Sequence, residues 1–445
     1  MLIRPLARAL RAADIRWVRV LWCDNANVIR HKAFNLDLLD SRFVDGVGIS
    51  EAQMAIPVMY DAVVQDAGLT PVGEVRLRPD WNTLAILPFA PGHCQSVGDM
   101  VSAGEDWPAC PRRFLRRQLA RAAERGLEIC AAFENEFFLL HADPEAVTPI
   151  DYSAFATTGA ANQSAEIIDD MTEALQSQDI QVEQIHPEAG PGQFELATRY
   201  AFGLEAADRQ IAVRETVRGV AQSHGLRASF LPKPFEHAAG SGCHIHISLW
   251  RDGRNITADP EAEHGISGEG KAFMAGLLDH LPALMAISTP STNSYRRIQP
   301  HFWSGAFRAW GFDNREAAVR VPRAPDGGPP SNIEFKVCDA SANPYLALGA
   351  LIAAGLDGMD RGLEPGAPVA VDPGTMSDAD RQATGIDPLP RSLGEALEHL
   401  TADKVLTGAM EPMLARSFLA VRRAEWEALR EATFDEEVRL LADRY

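Results

Sequence analysis

The sequence predicts an α+β protein, with a small strand-rich domain over residues 1–105 followed by a larger domain over residues 106–445 in which helices and strands mix. Three observations carry that expectation. Residues 1–105 hold several short alternating stretches. From Pro111, helical and alternating segments take turns as far as Val337. After Asn343 the pattern is helical on either side of a polar, turn-rich excursion at Asp372 to Pro390.

The elements follow in order. Arg4, Arg8 and Arg11 lie around Leu2, Leu6 and Leu10, a short amphipathic helix with Pro5 in its first turn; no secretory apolar core follows it. Ile15 to Trp22 reads as a strand, and a second polar/apolar stretch runs from Asn27 to Phe34. Gly46 to Ser50 reads as a loop, and Glu74 to Asp80 and Leu84 to Pro88 as two short strands. Pro91-Gly92 through Trp107-Pro108 reads as the linker between domains. A helix carrying Phe114, Leu115, Leu119 and Ala122 ends at Gly126. Asn343-Pro344 starts a later helix, an N-cap followed by proline in the first turn. Asp372 to Pro390 is a polar, turn-rich excursion, and the tail from Pro412 is helical with Leu414, Phe418, Val421 and Ala428 on one stripe.

Composition narrows the function. With 46% hydrophobic residues the chain is long enough to build sizeable cores, and 42 basic against 61 acidic residues give a net charge of -19. Such a balance repels nucleic acid and anionic membrane surfaces, so neither is an expected partner. The six cysteines are scattered without paired or metal-type spacing and read as reduced core residues. No apolar run reaches the roughly 18 residues of a membrane span. A cytoplasmic enzyme is the expectation.

The alternating segments of the larger domain carry the chemistry. In Leu127 to Leu140, Glu134 and Glu136 share one face while Phe133, Phe137 and Leu139 share the other. In Gly242 to Trp250, His244, His246 and Ser248 stand opposite Cys243, Ile245, Ile247 and Leu249. Ser331 to Val337 repeats the pattern with Glu334 and Lys336, and Arg320 sits between Val319 and Val321. With Glu188 and Glu195 added, one face collects five glutamates and two histidines. Like charges about 5 Å apart repel by roughly 3 kcal/mol per pair at an effective dielectric near 20, so a positive group belongs among them. Carboxylates with an imidazole and no thiolate suit Mg2+ or Mn2+ better than Zn2+.

Seven segments in order resemble the glutamine synthetase family: Glu134-Asn-Glu136-Phe-Phe; Glu188-Ala-Gly-Pro-Gly-Gln-Phe-Glu195; Lys233-Pro234; Gly240-Ser-Gly-Cys-His-Ile-His-Ile-Ser-Leu-Trp250; Asn293-Ser-Tyr-Arg-Arg297; Asn314-Arg315 with Arg320; and Ala342-Asn-Pro-Tyr-Leu346. The resemblance covers nearly the whole chain and is strongest from 130 to 360. It implies a β-grasp-like amino-terminal domain, a catalytic domain whose curved antiparallel sheet lines a funnel flanked by helices, and a ring-shaped homo-oligomer, usually of twelve subunits, with active sites between neighbours. Carried over residue by residue, it implies that Glu136, Glu188 and Glu195 hold the metal beside the acceptor carboxylate, and Glu134, His244 and Glu334 the metal on the phosphates of ATP. His246 and Ser248 would contact nucleotide. Arg297, with the Gly240 loop, would bind glutamate, and Arg315 and Arg320 would neutralise the transferring phosphoryl group.

The sequence also departs from that family. Ammonia-using members carry a glutamate in the loop after Asn-Ser-Tyr that helps hold ammonium; here Trp303 falls at that place, beside Phe302. Ala239 stands where an asparagine is expected, and Lys336 where an arginine is expected, although lysine cannot repeat a bidentate contact. Exchanging an acid for indole removes charge stabilisation for a small cation and offers an apolar surface. The chain therefore resembles the γ-glutamyl-amine ligases of amine catabolism, which attach glutamate to an organic amine. With few acids left over on the amine side, a monoamine is favoured over a polyamine. Asp45, from a neighbouring copy, matches the family's proton acceptor, with Asp80 as a second acid nearby. An ammonia-using synthetase and a non-catalytic assembly protein are the rival readings. Some bacterial relatives are switched off by adenylylation of a tyrosine in the late excursion; Gly385 to Arg391 contains none.

Overall fold

A computed structural model describes residues 3–143 and 146–445, so Leu2 of the first apolar stripe lies outside the described residues. The remainder of that stripe forms the helix Ile3–Ala12, which buries Leu10. The amino-terminal region builds a seven-stranded sheet from β1 (Trp17–Cys23), β2 (Ile29–Asn35), β3 (Val47–Ser50), β4 (Glu74–Pro79), β5 (Ala85–Ile86), β6 (His93–Ser102) and β7 (Glu105–Asp106). Its main order is β2-β1-β6-β4-β3, with β5 and β7 also on β6. β1 and β6 run parallel, and the other pairs are antiparallel.

Two expectations fail here. Gly46 to Ser50 is not a loop: Val47 to Ser50 pair with Leu77 to Glu74 as an edge strand. The supposed linker after Gly92 is the central strand β6, with Cys94 to Gly98 buried in succession. A strand covered on both faces has no polar alternation to betray it, and its flanking Pro91-Gly92 imitates a break.

The second sheet has ten strands: β8 (Glu128–His141), β9 (Val182–Pro187), β10 (Gln193–Thr198), β11 (Ala201–Phe202), β12 (Leu226–Ser229), β13 (Cys243–Arg251), β14 (Arg254–Asn255), β15 (Phe307–Phe312), β16 (Ala317–Val321) and β17 (Ile333–Phe335). The order is β15-β16-β17-β13-β8-β10-β9, with β11 and β12 also on β8 and β14 on β13. Pairing is antiparallel throughout except between β15 and β16. The long β8 is the axis of this sheet. Helices flank it, including Pro111–Ala123, Leu204–Ser223 and Pro344–Arg361. The last starts as expected: the Asn343 side chain accepts from the N–H groups of Tyr345 and Leu346.

The long carboxy-terminal helix begins before Pro412, at Lys404, and breaks at Glu411 (φ 64°). Pro412 then opens its second segment, as its missing N–H allows. Leu414, Phe418 and Val421 are buried, whereas Ala428 is exposed and Leu429 closes the stripe.

A buried guanidinium joins the amino-terminal sheet region to the helix Leu204–Ser223 that flanks the second sheet. Arg112 holds Asp208 through two hydrogen bonds of 3.0 and 2.8 Å, and reaches Asp99 at 2.8 Å and Asp80 at 2.7 Å. Tyr345 donates to the same Asp208 at 2.7 Å. Buried apolar side chains of both regions form one continuous core. All six cysteines are free and buried, and among the described residues no helix is long and apolar enough to cross a membrane.

Candidate active site

Strand register assembles the acids and histidines. His244 of β13 lies opposite Glu134 of β8, and Glu195 of β10 opposite Glu136. His246 pairs with Glu334 of β17, which in turn faces Arg320 of β16. One residue along, Ile245 pairs with Phe133 on one side and Phe335 on the other, all buried. The apolar parity packs the core and thereby forces the polar parity into one cleft.

On the β17 side the carboxylates are compensated. Glu134 takes His244 Nδ1 on Oε1 at 2.8 Å and has His246 Nε2 at 3.4 Å from Oε2. Glu334 is fully buried between Arg320 Nε (2.6 Å), His244 Nδ1 (3.3 Å) and Lys336 Nζ (3.6 Å). Burial opposes ionisation of Glu134, but the His244 and His246 hydrogen bonds hold it well below the usual carboxylate range. Glu334 is likewise held down, against burial, by Lys336 and His246. His244 is lowered to about 4 by burial and then by Lys336. Burial works against His246 too, yet Glu134 and Glu334 raise it.

On the β10 side the acids face one another. Glu136 accepts from Gln193 Nε2 and from the Gly242 N–H, both at 3.1 Å. Gln193 is a keystone, since its Nε2 also lies 3.0 Å from the Gly240 carbonyl and 3.1 Å from Ser241 Oγ. Glu188 accepts from the Ala189 N–H at 2.8 Å and has His186 Nε2 at 3.1 Å. His186 Nδ1 is 3.8 Å from Glu195. Burial, then the Glu188 charge, pushes Glu136 up to about 7, and burial, then Glu134 and Glu136, pushes Glu195 up to about 9. Carboxyl groups driven that far are short of positive charge, and their oxygen-rich set fits a hard divalent cation.

Within the cleft, two trios bring ligand atoms within 4.8 Å of one another: Glu134, His246 and Glu334, and His186, Glu188 and Glu195; a third such group, Asp279, His280 and Asp357, lies elsewhere, among helices. The grouping differs in two places from the expected one. His244 Nδ1 is turned onto Glu134 and Glu334, so His246 completes the first trio. His186 joins the second, with Glu136 standing opposite Glu195. Sequence reading missed His186, although its place two residues before Glu188 put it on the acidic parity.

Beside Glu134 opens a cavity of about 450 Å³ lined by Tyr200, His246, Ser248, Trp250 and Asn332 among others. Ser248 Oγ accepts from the Trp250 indole at 2.9 Å, and His246 Nδ1 meets Asn332 Oδ1 at 2.9 Å. On the other side of the cleft, buried Arg297 donates to the Cys338 carbonyl at 3.0 Å, and its Nε has no protein partner among the described residues. Gly240 permits the close approach of this loop: a Cβ there would stand 2.5 Å from the Pro232 carbonyl oxygen and 2.7 Å from Arg297 Cγ. Lys336 is buried beside Glu334.

Phe302 and Trp303 lie at the surface, 52% and 57% exposed. Lys233 Nζ sits 4.8 Å from the Phe302 ring centre and the Arg315 guanidinium 5.5 Å from that of Trp303, both in cation–π range. His301 (φ 68°) and Trp303 (φ 53°) occupy the left-handed region, at about 1–3 kcal/mol each. The carboxylate of Glu316 accepts from both backbone N–H groups, at 3.2 and 2.9 Å. Asp45 does not join the cleft within one chain; it is exposed at the end of the helix Leu39–Asp45 and makes no side-chain hydrogen bond or ion pair among the described residues. Asp80 is engaged by Arg112 and caps the turn Trp81–Thr83, a structural role.

Residues 108–441 match the glutamine synthetase catalytic domain and residues 4–105 the glutamine synthetase N-terminal domain. The chain belongs to the glutamine synthetase family. It is 37% identical over 427 residues to the gamma-glutamylpolyamine synthetase GlnA3 of Streptomyces coelicolor, spanning 94% of this chain and 91% of that one. It is 32% identical over 438 residues to the glutamine synthetase of Thermus thermophilus, spanning 96% and 95%. Among solved structures, a GmaS/ADP complex superposes with a TM-score of 0.86 at 31% identity, covering 98% of this chain and 99% of that one. A glutamine synthase homolog superposes with the same TM-score at 32% identity, covering 97% and 99%. The protein is therefore a glutamine synthetase-family ligase of nitrogen metabolism, in a family that uses ATP and divalent cations.

Proposed function

We propose that this ligase joins the γ-carboxylate of glutamate to the nitrogen of an organic amine, a monoamine in preference to a polyamine, at the expense of ATP and through a γ-glutamyl phosphate. One observation carries the choice of amine. At the place of the ammonium-holding acid stand the exposed Phe302 and Trp303, and the two carboxylates bonded to this loop are both engaged, Glu316 by the backbone N–H groups of His301 and Trp303 and Asp372 by the His301 ring. An aromatic mouth without a free acid favours an apolar substituent on nitrogen over a bare ammonium ion, by about 1.5–3 kcal/mol for a buried side-chain-sized group.

The roles follow from position. Glu136, Glu188 and Glu195, with His186, would hold one divalent cation; Glu134, Glu334 and a histidine, His244 or His246, would hold the other. Bound Mg2+ or Mn2+ supplies neutralising charge to the phosphoryl group in flight. His246 and Ser248 face the cavity suited to nucleotide. Arg297, the Gly240 loop and Lys336 serve glutamate, Arg315 and Arg320 spread phosphoryl charge, and Asp45 of a neighbouring copy accepts the proton that the alkylammonium must lose. The proposal includes the division at residue 105, a twelve-subunit ring and a cytoplasmic setting.

The test is glutamate-dependent phosphate release from ATP with ammonium and with a panel of alkyl, aryl and polyamine donors. Turnover fastest on a monoamine is the expected result. Ammonium outpacing every amine would restore the ammonia-using reading, which several named relatives favour. No turnover with any donor would leave a non-catalytic assembly.

A further inference from the structure

Glu316 had no part in the resemblance, yet its placement is specific. It follows Arg315 directly, precedes β16 and is only 8% exposed. Its Oε1 accepts from the Trp303 N–H at 2.9 Å and its Oε2 from the His301 N–H at 3.2 Å. Bonds from backbone N–H to a carboxylate are charge-assisted, and burial strengthens them. The shelf beneath is itself fixed: Asn314 Oδ1 accepts from the Glu316 N–H at 3.1 Å, while Asn314 Nδ2 reaches the carbonyls of Val369 and Val371 at 2.9 and 3.0 Å. From the same shelf Arg315 extends to the Trp303 indole. Consecutive residues thus grip Trp303 twice, one by its ring and one by its backbone. Two non-glycine residues in the left-handed region within three positions would relax without such a grip.

We propose that Glu316 is a positioning residue of the amine subsite, holding residues 301–303 so that the indole stays against Arg315 and amine recognition is coupled to the arginine on the phosphoryl side. The coupling rests on the amine-ligase reading; the anchoring does not.

Glu316→Gln keeps the shape and one acceptor oxygen, and Glu316→Ala removes both. In the full-length protein, hydrogen exchange of the peptide spanning 299–305 should quicken by about tenfold or more in the alanine variant and by less in the glutamine variant. The KM for the preferred amine should rise about tenfold while those for glutamate and ATP stay within about twofold. Unchanged exchange in both variants would overturn the proposal whatever the nitrogen donor. Equal rises in all three KM values, or a fall in kcat alone, would overturn the positioning role as well. If the parent protein prefers ammonium, the amine-ligase reading falls, and the exchange measurement still decides the anchor. Should the alanine variant fail to fold, the glutamine variant alone carries both readouts.

Discussion

The two halves of the cleft are built from the same residue types and behave in opposite ways. Toward β17, Glu134 and Glu334 are surrounded by His244, His246, Arg320 and Lys336, and burial has been offset by partners. Toward β10, Glu136, Glu188 and Glu195 accept from Gln193, His186 and backbone N–H groups, and the nearby cationic Arg297, which acts on Glu136, does not offset burial. The first half is largely compensated within the protein. In the second, burial and mutual repulsion push Glu136 and Glu195 toward the protonated form, so a bound cation would relieve more repulsion there than beside Glu334.

The strongest way to break this comparison is to remove a carboxylate from each half. Glu334→Gln strands Arg320 and the buried Lys336, and should lower stability by about 3–5 kcal/mol in urea denaturation, with activity lost. A loss under about 1 kcal/mol would mean that the β17 half is not held by its ion pairs. Next comes pH. The folded values of Glu136 and Glu195, about 7 and about 9, lie above the ordinary carboxylate value, so their favourable contribution is complete below about pH 4.5 and fades as pH rises through 7 and 9. Without metal, the melting temperature should therefore fall across that window. Mn2+ should reverse the fall, with a thermal shift that grows with pH, because the ion competes with protons. A shift independent of pH would place the ion elsewhere. Glu134 and Glu334 act in the other direction, being depressed, and their contribution is lost only as the medium becomes strongly acidic.

Glu195→Gln should have the sign opposite to Glu334→Gln. By removing a repelled acid it should stabilise the metal-free protein by about 1–3 kcal/mol at neutral pH while abolishing the Mn2+ shift; destabilisation would erase the contrast between the halves. Smallest is Trp303→Glu, which should raise the ratio of ammonium to bulky-amine turnover about tenfold, roughly 1.4 kcal/mol of discrimination. An unchanged ratio would remove the indole from the account of specificity.

How much of this was legible in the chain depends on what each segment shows to solvent. Strands with one wet face announced themselves: Glu134/Glu136 and His244/His246 alternate against Phe133 and Ile245, and register brought them together. β6 was hidden because both its faces are covered, and β3 because four residues with a glycine carry too little pattern. Glu316 was invisible for another reason. Its partners are backbone N–H groups of His301 and Trp303, and no periodicity records a side chain bonding to main chain 13 to 15 positions away. His186, on the acid parity of the adjoining strand, is legible from alternation alone. Which histidine completes each trio depends on side-chain rotation, and strand alternation is silent on that.

Arg112 has a bearing on how this architecture can be recombined. Four of its hydrogen bonds reach Asp80 and Asp99 of the amino-terminal region and Asp208 of the helix Leu204–Ser223, with Tyr345 bracing the last. A chimera taking residues 4–105 from a relative would have to import acids at both positions, or leave a guanidinium half matched in the interior. The seam between the two modules is thereby a compatibility filter: grafts are sorted by two carboxylates far more than by overall similarity.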